Sequence, residues 1–104
     1  MLTVGTPIDN PAAAAVLVTS LSVNTPRRYK VRVLLVSEVS FWATLTHRAA
    51  GGGAKSALLI PVNGLLGPVE IYETYFANGD YVEVSVRDGA VTLEGTVQAT
   101  VELL

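Results

Sequence analysis

The sequence predicts an all-β protein, an antiparallel β-sandwich or jelly roll of seven to eight strands with an extended N-terminal arm, and three observations carry that prediction. The stretch Val91 to Leu103 places apolar or small residues at every odd position and polar ones at every even position. This period of two gives a strand one buried and one wet face. Short runs of the same kind recur along the chain with turn residues between them, and no convincing helix interrupts them. Half of the residues are hydrophobic, so a chain of 104 residues can bury one core without staples.

Composition also excludes several classes of function. There are no cysteines, which removes disulfides and thiolate metal sites and fits a reducing compartment or a particle that needs no covalent clamp. A net charge of −2 argues against a nucleic-acid partner, whose binding domain would be strongly basic. The apolar run Ala12 to Val18 follows Asp9 rather than a basic residue and is far too short to span a bilayer, so neither a secretion signal nor a membrane partner is expected. The charges are unevenly spread. Arg27, Arg28, Lys30, Arg32, Arg48 and Lys55 stand against Glu38 alone, whereas from Ser56 onward Arg87 stands against Glu70, Glu73, Asp80, Glu83, Asp88, Glu94 and Glu102. Basic and acidic strands can pair side by side in a sheet. Alternatively, the molecule has a basic and an acidic pole suited to contacts between copies or with a charged scaffold.

Taken in order, residues 1–12 contain Gly5, Pro7, Asp9, Asn10 and Pro11 and read as an extended arm that either frays or crosses onto another molecule. Residues 13–104 form the single sandwich domain. Ala13 to Val23 is read as a strand, its β-branched residues outweighing the helix preference of the alanines. Asn24-Thr25-Pro26 turns the chain. Tyr29, Val31, Val33 and Leu35 then face one way and Lys30 and Arg32 the other, until Ser37-Glu38 breaks the run. In Ser40 to Arg48, Phe41 and Leu45 are the core choices, which leaves Trp42 on the opposite face. There it is either an interface anchor or covered by a loop or the arm. Gly51-Gly52-Gly53 makes a flexible loop. Leu58-Leu59-Ile60 reads as a short buried strand stopped by Pro61, and Asn63 to Pro68 as a turn-rich crossing. Val69 to Phe76 is a strand, Ala77-Asn78-Gly79-Asp80 a tight turn, and Tyr81 to Arg87 another amphipathic strand before the terminal one. Gly95 within that last strand marks a bulge or a close backbone approach.

Groups able to do chemistry are sparse. His47 is the only histidine, which excludes a histidine-rich metal site, and no Gly-x-Ser-x-Gly elbow accompanies it. It reads as a packed or rim histidine. Glu70 and Glu73, three apart, cannot share one face of a straight strand, so they do not form a glycosidase pair. Asp80 reads as a turn residue whose side chain bonds nearby amides. The glycine run lacks the Gly-Lys-Ser/Thr ending of a phosphate loop. No catalytic residue, cofactor or metal is expected.

The segment Phe76-Ala77-Asn78-Gly79-Asp80-Tyr81-Val82, with the closing Gly95-Thr96-Val97-Gln98-Ala99-Thr100-Val101, resembles jelly-roll domains of the tumour-necrosis-factor-like type. In that family a Gly-Asp turn introduces a late core strand. The whole chain also resembles the capsid decoration, or cement, proteins of tailed bacteriophages. That resemblance implies a non-enzymatic virion protein, made in the host cytoplasm, which forms a homo-oligomer (trimer or dimer) and bridges subunits of the major capsid protein. Leu2, Val4 and Ile8 of the arm, together with Trp42, Arg27, Arg28 and Arg32, would be the contact residues. The other reading is a carbohydrate- or receptor-binding module of a phage fibre or spike, in which Trp42, Tyr72, Tyr75 and Tyr81 form a stacking platform for sugars.

Overall fold

A computed structural model describes residues 1–63, 66–89 and 92–104. Among them run nine strands: β1 (Leu2–Val4), β2 (Ile8–Asp9), β3 (Val16–Thr19), β4 (Arg27–Ser37), β5 (Ser40–Arg48), β6 (Ala54–Asn63), β7 (Leu66–Phe76), β8 (Tyr81–Val86) and β9 (Thr96–Leu103). The pairing is nested. β5 pairs with β6, β4 with β7, β3 with β8, and β1 and β2 with β9, all antiparallel. Two further pairings, β4 with β9 and β5 with β8, knit these into sheets ordered β1-β9-β4-β7 and β3-β8-β5-β6. With β1 and β2 counted as one interrupted strand, this is the eight-strand winding of a jelly roll.

Alternation decides what each strand buries. In β9, Val97, Ala99, Val101 and Leu103 are buried between half-exposed polar neighbours. Beside them in the same sheet lie Tyr29, Val31, Val33 and Leu35 of β4, and across the sandwich lie Phe41, Ala43 and Leu45 of β5 and Val82, Val84 and Val86 of β8. Removing a valine or leucine side chain of this kind from water contributes roughly 1.5–3 kcal/mol. The inward halves of four regular strands therefore form most of the core, to which Leu17 and Val18 of β3, Ile60 and Val62 of β6 and Phe76 of β7 add.

Several elements differ from the sequence reading. The arm neither frays nor leaves the molecule. β1 lies along β9 from Leu2 opposite Glu102 to Val4 opposite Thr100, and Ile8 and Asp9 pair with Val97 and Thr96. The Gly5 amide also bonds Ala99 O at 2.9 Å. The arm supplies two of the nine strands, β1 and β2, both covering what would otherwise be an unpaired edge of β9. β3 is only four residues long, since Ala12 to Ala15 forms a turn closed by Ala15 N to Ala12 O, with Ala14 at φ 62°. A bulge between Val16 and Val18 then buries Leu17 and Val18 together, which interrupts the expected alternation.

β6 is a ten-residue edge strand, largely exposed, rather than a short buried one. Pro61 sits inside it opposite Trp42, which an edge strand tolerates because the missing donor faces no neighbour. The Asn78-Gly79 turn is present but joins β7 in one sheet to β8 in the other, so it is a corner and not a hairpin. Only Gly79 of the pair has positive φ, at 88°, as a type II turn requires. β9 starts at Thr96; just before it, Gly95 has φ 145° and a Cβ there would lie 3.2 Å from both Glu38 Cβ and Val39 Cγ1. Gly64 and Leu65 of the Asn63 to Pro68 crossing, Ala90, and Val91 at the start of the terminal run lie outside the described residues, and Leu66 to Pro68, read as part of the crossing, belong to β7.

Gly5 is where the two sheets approach along the closed side. A Cβ there would sit 2.5 Å from Ala99 O and 2.6 Å from Leu17 O, both backbone atoms. Gly5→Ala is therefore expected to destabilise the fold by about 1–3 kcal/mol, read as a lower urea midpoint; an unchanged midpoint would show that the arm does not hold this position in solution.

Candidate functional site

One end of the sandwich carries the only cluster of buried ionisable side chains among the described residues. His47, near the end of β5, points between the sheets and is 4% exposed; Asp80, in the corner before β8, is 2% exposed. His47 Nε2 lies 3.0 Å from Asp80 Oδ2, which also accepts from Lys55 Nζ at 2.7 Å and from the Ala77 amide at 3.0 Å. The His47 ring stacks on Phe76 (centroids 4.2 Å, planes 19° apart), and Phe76 meets Tyr29 edge-on at 5.3 Å. Arg27 caps the row, 3.8 Å above the Tyr29 ring. Burial acts to raise the Asp80 pKa. Its hydrogen bonds from Lys55, Ala77 and His47 and the Lys55 charge outweigh burial and hold it below the ordinary carboxylate value.

This arrangement fastens three elements together. Asp80 ties the corner (Ala77), β5 (His47) and β6 (Lys55) to a single oxygen, and no described hydroxyl hydrogen-bonds His47 as a nucleophile would. The sequence reading of Asp80 as a turn residue bonding nearby amides and of His47 as a packed histidine matches this placement. It missed that the two meet each other. The only signal available was that the sole histidine lies on the inward register of β5, where a buried ring needs a polar partner.

The candidate contact residues fall on the two outer faces of the sandwich and, for Ile8, against the core. Leu2 and Val4 project from β1 onto the outer face of the β1-β9-β4-β7 sheet, 58% and 62% exposed. Ile8 instead packs against the core. Trp42 is 47% exposed on the outer face of the other sheet. The arm cannot cover it, being paired to β9 across the sandwich.

The basic residues are already engaged within the chain. Arg28 pairs with Glu73 at 3.2 Å, Lys30 with Glu70 at 3.8 Å and Arg32 with Glu102 at 3.8 Å. Arg27 donates to Arg28 O at 2.7 Å. The lopsided charge along the sequence thus folds into basic β4 lying between acidic β7 and β9, the cross-strand pairing, and not into two poles. Such exposed pairs contribute little stability each.

The proposed aromatic platform does not assemble. Trp42 and Tyr81 sit towards opposite ends of the β3-β8-β5-β6 sheet, Trp42 next to Ala43, which pairs with Val86, and Tyr81 opposite Arg48. Tyr75 lies in the other sheet opposite Arg28, and Tyr72 packs partly against the core. Burial raises the Tyr72 pKa. Among the described residues no group of three or more His, Asp or Glu side chains could hold a metal ion. Comparison with protein-family models, characterised proteins and solved structures finds no match to the chain.

Removing one partner of a buried, hydrogen-bonded charge leaves the others unpaired, so Asp80→Ala is expected to lose about 3–5 kcal/mol. Because the folded pKa is depressed, the stability Asp80 contributes is present above the unfolded carboxylate pKa of about 4 and is lost as pH falls through the folded value. Urea unfolding of the native chain from pH 7 to pH 2 checks this. The loss of stability should set in below about pH 4 and should be smaller in Asp80→Ala.

Proposed function

We propose that the chain is a non-enzymatic structural protein of a virus particle: a capsid decoration or cement protein that binds the shell as a small homo-oligomer and bridges major capsid subunits. The observation that carries the reading is an apolar face on rigid, paired strands. Val4, Thr100 and Leu34 form one row across β1, β9 and β4, with Leu2 and Val36 in the rows to either side. Leu2, Val4 and Val36 are exposed. Beside them the charged residues of β4, β7 and β9 already satisfy one another, so this surface offers apolar area framed by neutralised charge. That combination suits a static protein contact, in which desolvated apolar anchors contribute most of the affinity and a polar rim excludes water.

In this account Leu2 and Val4 remain contact residues, Arg28 and Arg32 form the rim, and Ile8 serves the core. The edges of β6 and β7 lie on the same side of the sandwich, where the exposed Leu58 and Leu59 of β6 and the half-buried Ile71 of β7 line an open cleft. Contacts between copies in the homo-oligomer are assigned to these edges, since long unpaired strands are where second chains add.

The arm is part of the sheet, so deleting it would test stability and binding together. Point changes on its outer face separate the two. Leu2→Lys with Val4→Lys should lower occupancy on particles stripped of the protein about tenfold while leaving the urea midpoint unchanged, as measured by co-sedimentation and quantitative mass spectrometry. Undiminished occupancy would remove this face from the account.

A further inference from the structure

The groove beside Trp42 goes beyond the structural role and does not depend on it. It is shallow, about 570 Å³, and lined by Ser40, Phe41, Trp42, Arg87, Asp88, Gly89 and Leu93. On the other side of the indole a second depression of about 270 Å³ runs past Pro61 and Asn63. The ring therefore forms a wall between two open troughs. Its backbone is fixed on both sides, by the register opposite Pro61 and by the Arg87 amide, which donates to Trp42 O at 3.0 Å.

Arg87 and Asp88, adjacent in the chain, edge the larger trough and are exposed, and among the described residues neither side chain has a hydrogen-bond or ion-pair partner. Every other arginine of the chain is engaged, Arg27, Arg28, Arg32 and Arg48 each bonding a carboxylate or a carbonyl. Among the described residues, the trough thus joins one exposed aromatic face to a guanidinium and a carboxylate that neither hydrogen-bond nor ion-pair.

We propose that this groove is a saccharide-binding subsite. A pyranose ring presents an apolar C–H face and a rim of hydroxyls that both donate and accept. The C–H face would lie on the indole, and neighbouring hydroxyls would be held by Arg87 donating and Asp88 accepting. The open ends of both troughs suit an inner unit of a chain as well as a terminal sugar. A deep apolar small molecule does not fit, because the trough is shallow and carries the charged Arg87 and Asp88 on its rim.

The wild-type chain is applied to a printed array of defined bacterial, plant and animal glycans, and the strongest hit is titrated by calorimetry and by fluorescence of Trp42, the only tryptophan. The expected result is saturable binding of at least one glycan with a change in Trp42 emission. Trp42→Ala should weaken it at least tenfold and Arg87→Ala or Asp88→Ala several-fold, with the thermal midpoint of each variant unchanged. No array hit, or a hit that Trp42→Ala binds as well as wild type, overturns the proposal. A Trp42→Ala chain that loses particle occupancy while wild type binds no glycan would instead assign the indole to a protein contact. The lysine variants of Leu2 and Val4, on the opposite sheet, should leave glycan binding intact, so failure of one proposal is distinguishable from failure of the other.

Discussion

The pairing of β9 with both ends of the chain's first half is the constraint on which the rest of the structure depends. β9 lies between β1 and β4, and the Met1 amino group and the Leu103 amide each reach the other's carbonyl across that seam, both at 2.8 Å. Because side chains alternate with a period of two, this one register fixes which half of β9 faces the core and which faces outward. It aims Val97, Ala99, Val101 and Leu103 inward, and in the same step it sets Leu2, Val4, Thr100 and Leu34 side by side on the outside. A slip of one residue would bury Glu102 and expose Val101. The outer apolar face and the core are two consequences of one register.

The two ends of the sandwich solve different problems. At the His47–Asp80 end the chain turns a corner between sheets, and a corner leaves amides without ladder partners. Asp80 takes one of them, from Ala77, and also gathers His47 and Lys55. At the Trp42 end the polar groups are left facing water, and Arg87 and Asp88 edge a groove rather than closing a core. Among the described residues, the buried polar groups of one end are satisfied within the fold, whereas Arg87 and Asp88 at the other end are exposed.

Much of this was legible in the sequence, and the reasons are local. β4, β8 and β9 alternate cleanly, as does β5 up to Leu45, and apart from Thr46 their buried residues follow from parity. Trp42 was placed on the outer face by the same argument. What parity could not supply was tertiary. Residues 1–12 carry too few consecutive apolar residues to announce strands, and β1 and β2 exist because β9 offers them an edge. Pro61 marked a strand end by propensity, yet an edge strand has no donor to lose there. The bulge at Val16 to Val18 depends on Ser85 and Val84 opposite, residues far away in the sequence. The meeting of His47 with Asp80, 33 positions apart, left no mark on the local pattern. Nor did the mutual neutralisation of the basic and acidic segments, which needed β4 to fall between β7 and β9.

The account's central claim is that this jelly roll is a component of a particle's shell. The most direct measurement is to sediment particles from the native source and count this chain by mass spectrometry against the most abundant shell protein. The account predicts a copy number comparable to that of the shell protein, retained through washing. A chain that stays in the supernatant, or is present in only a few copies per particle, would contradict it.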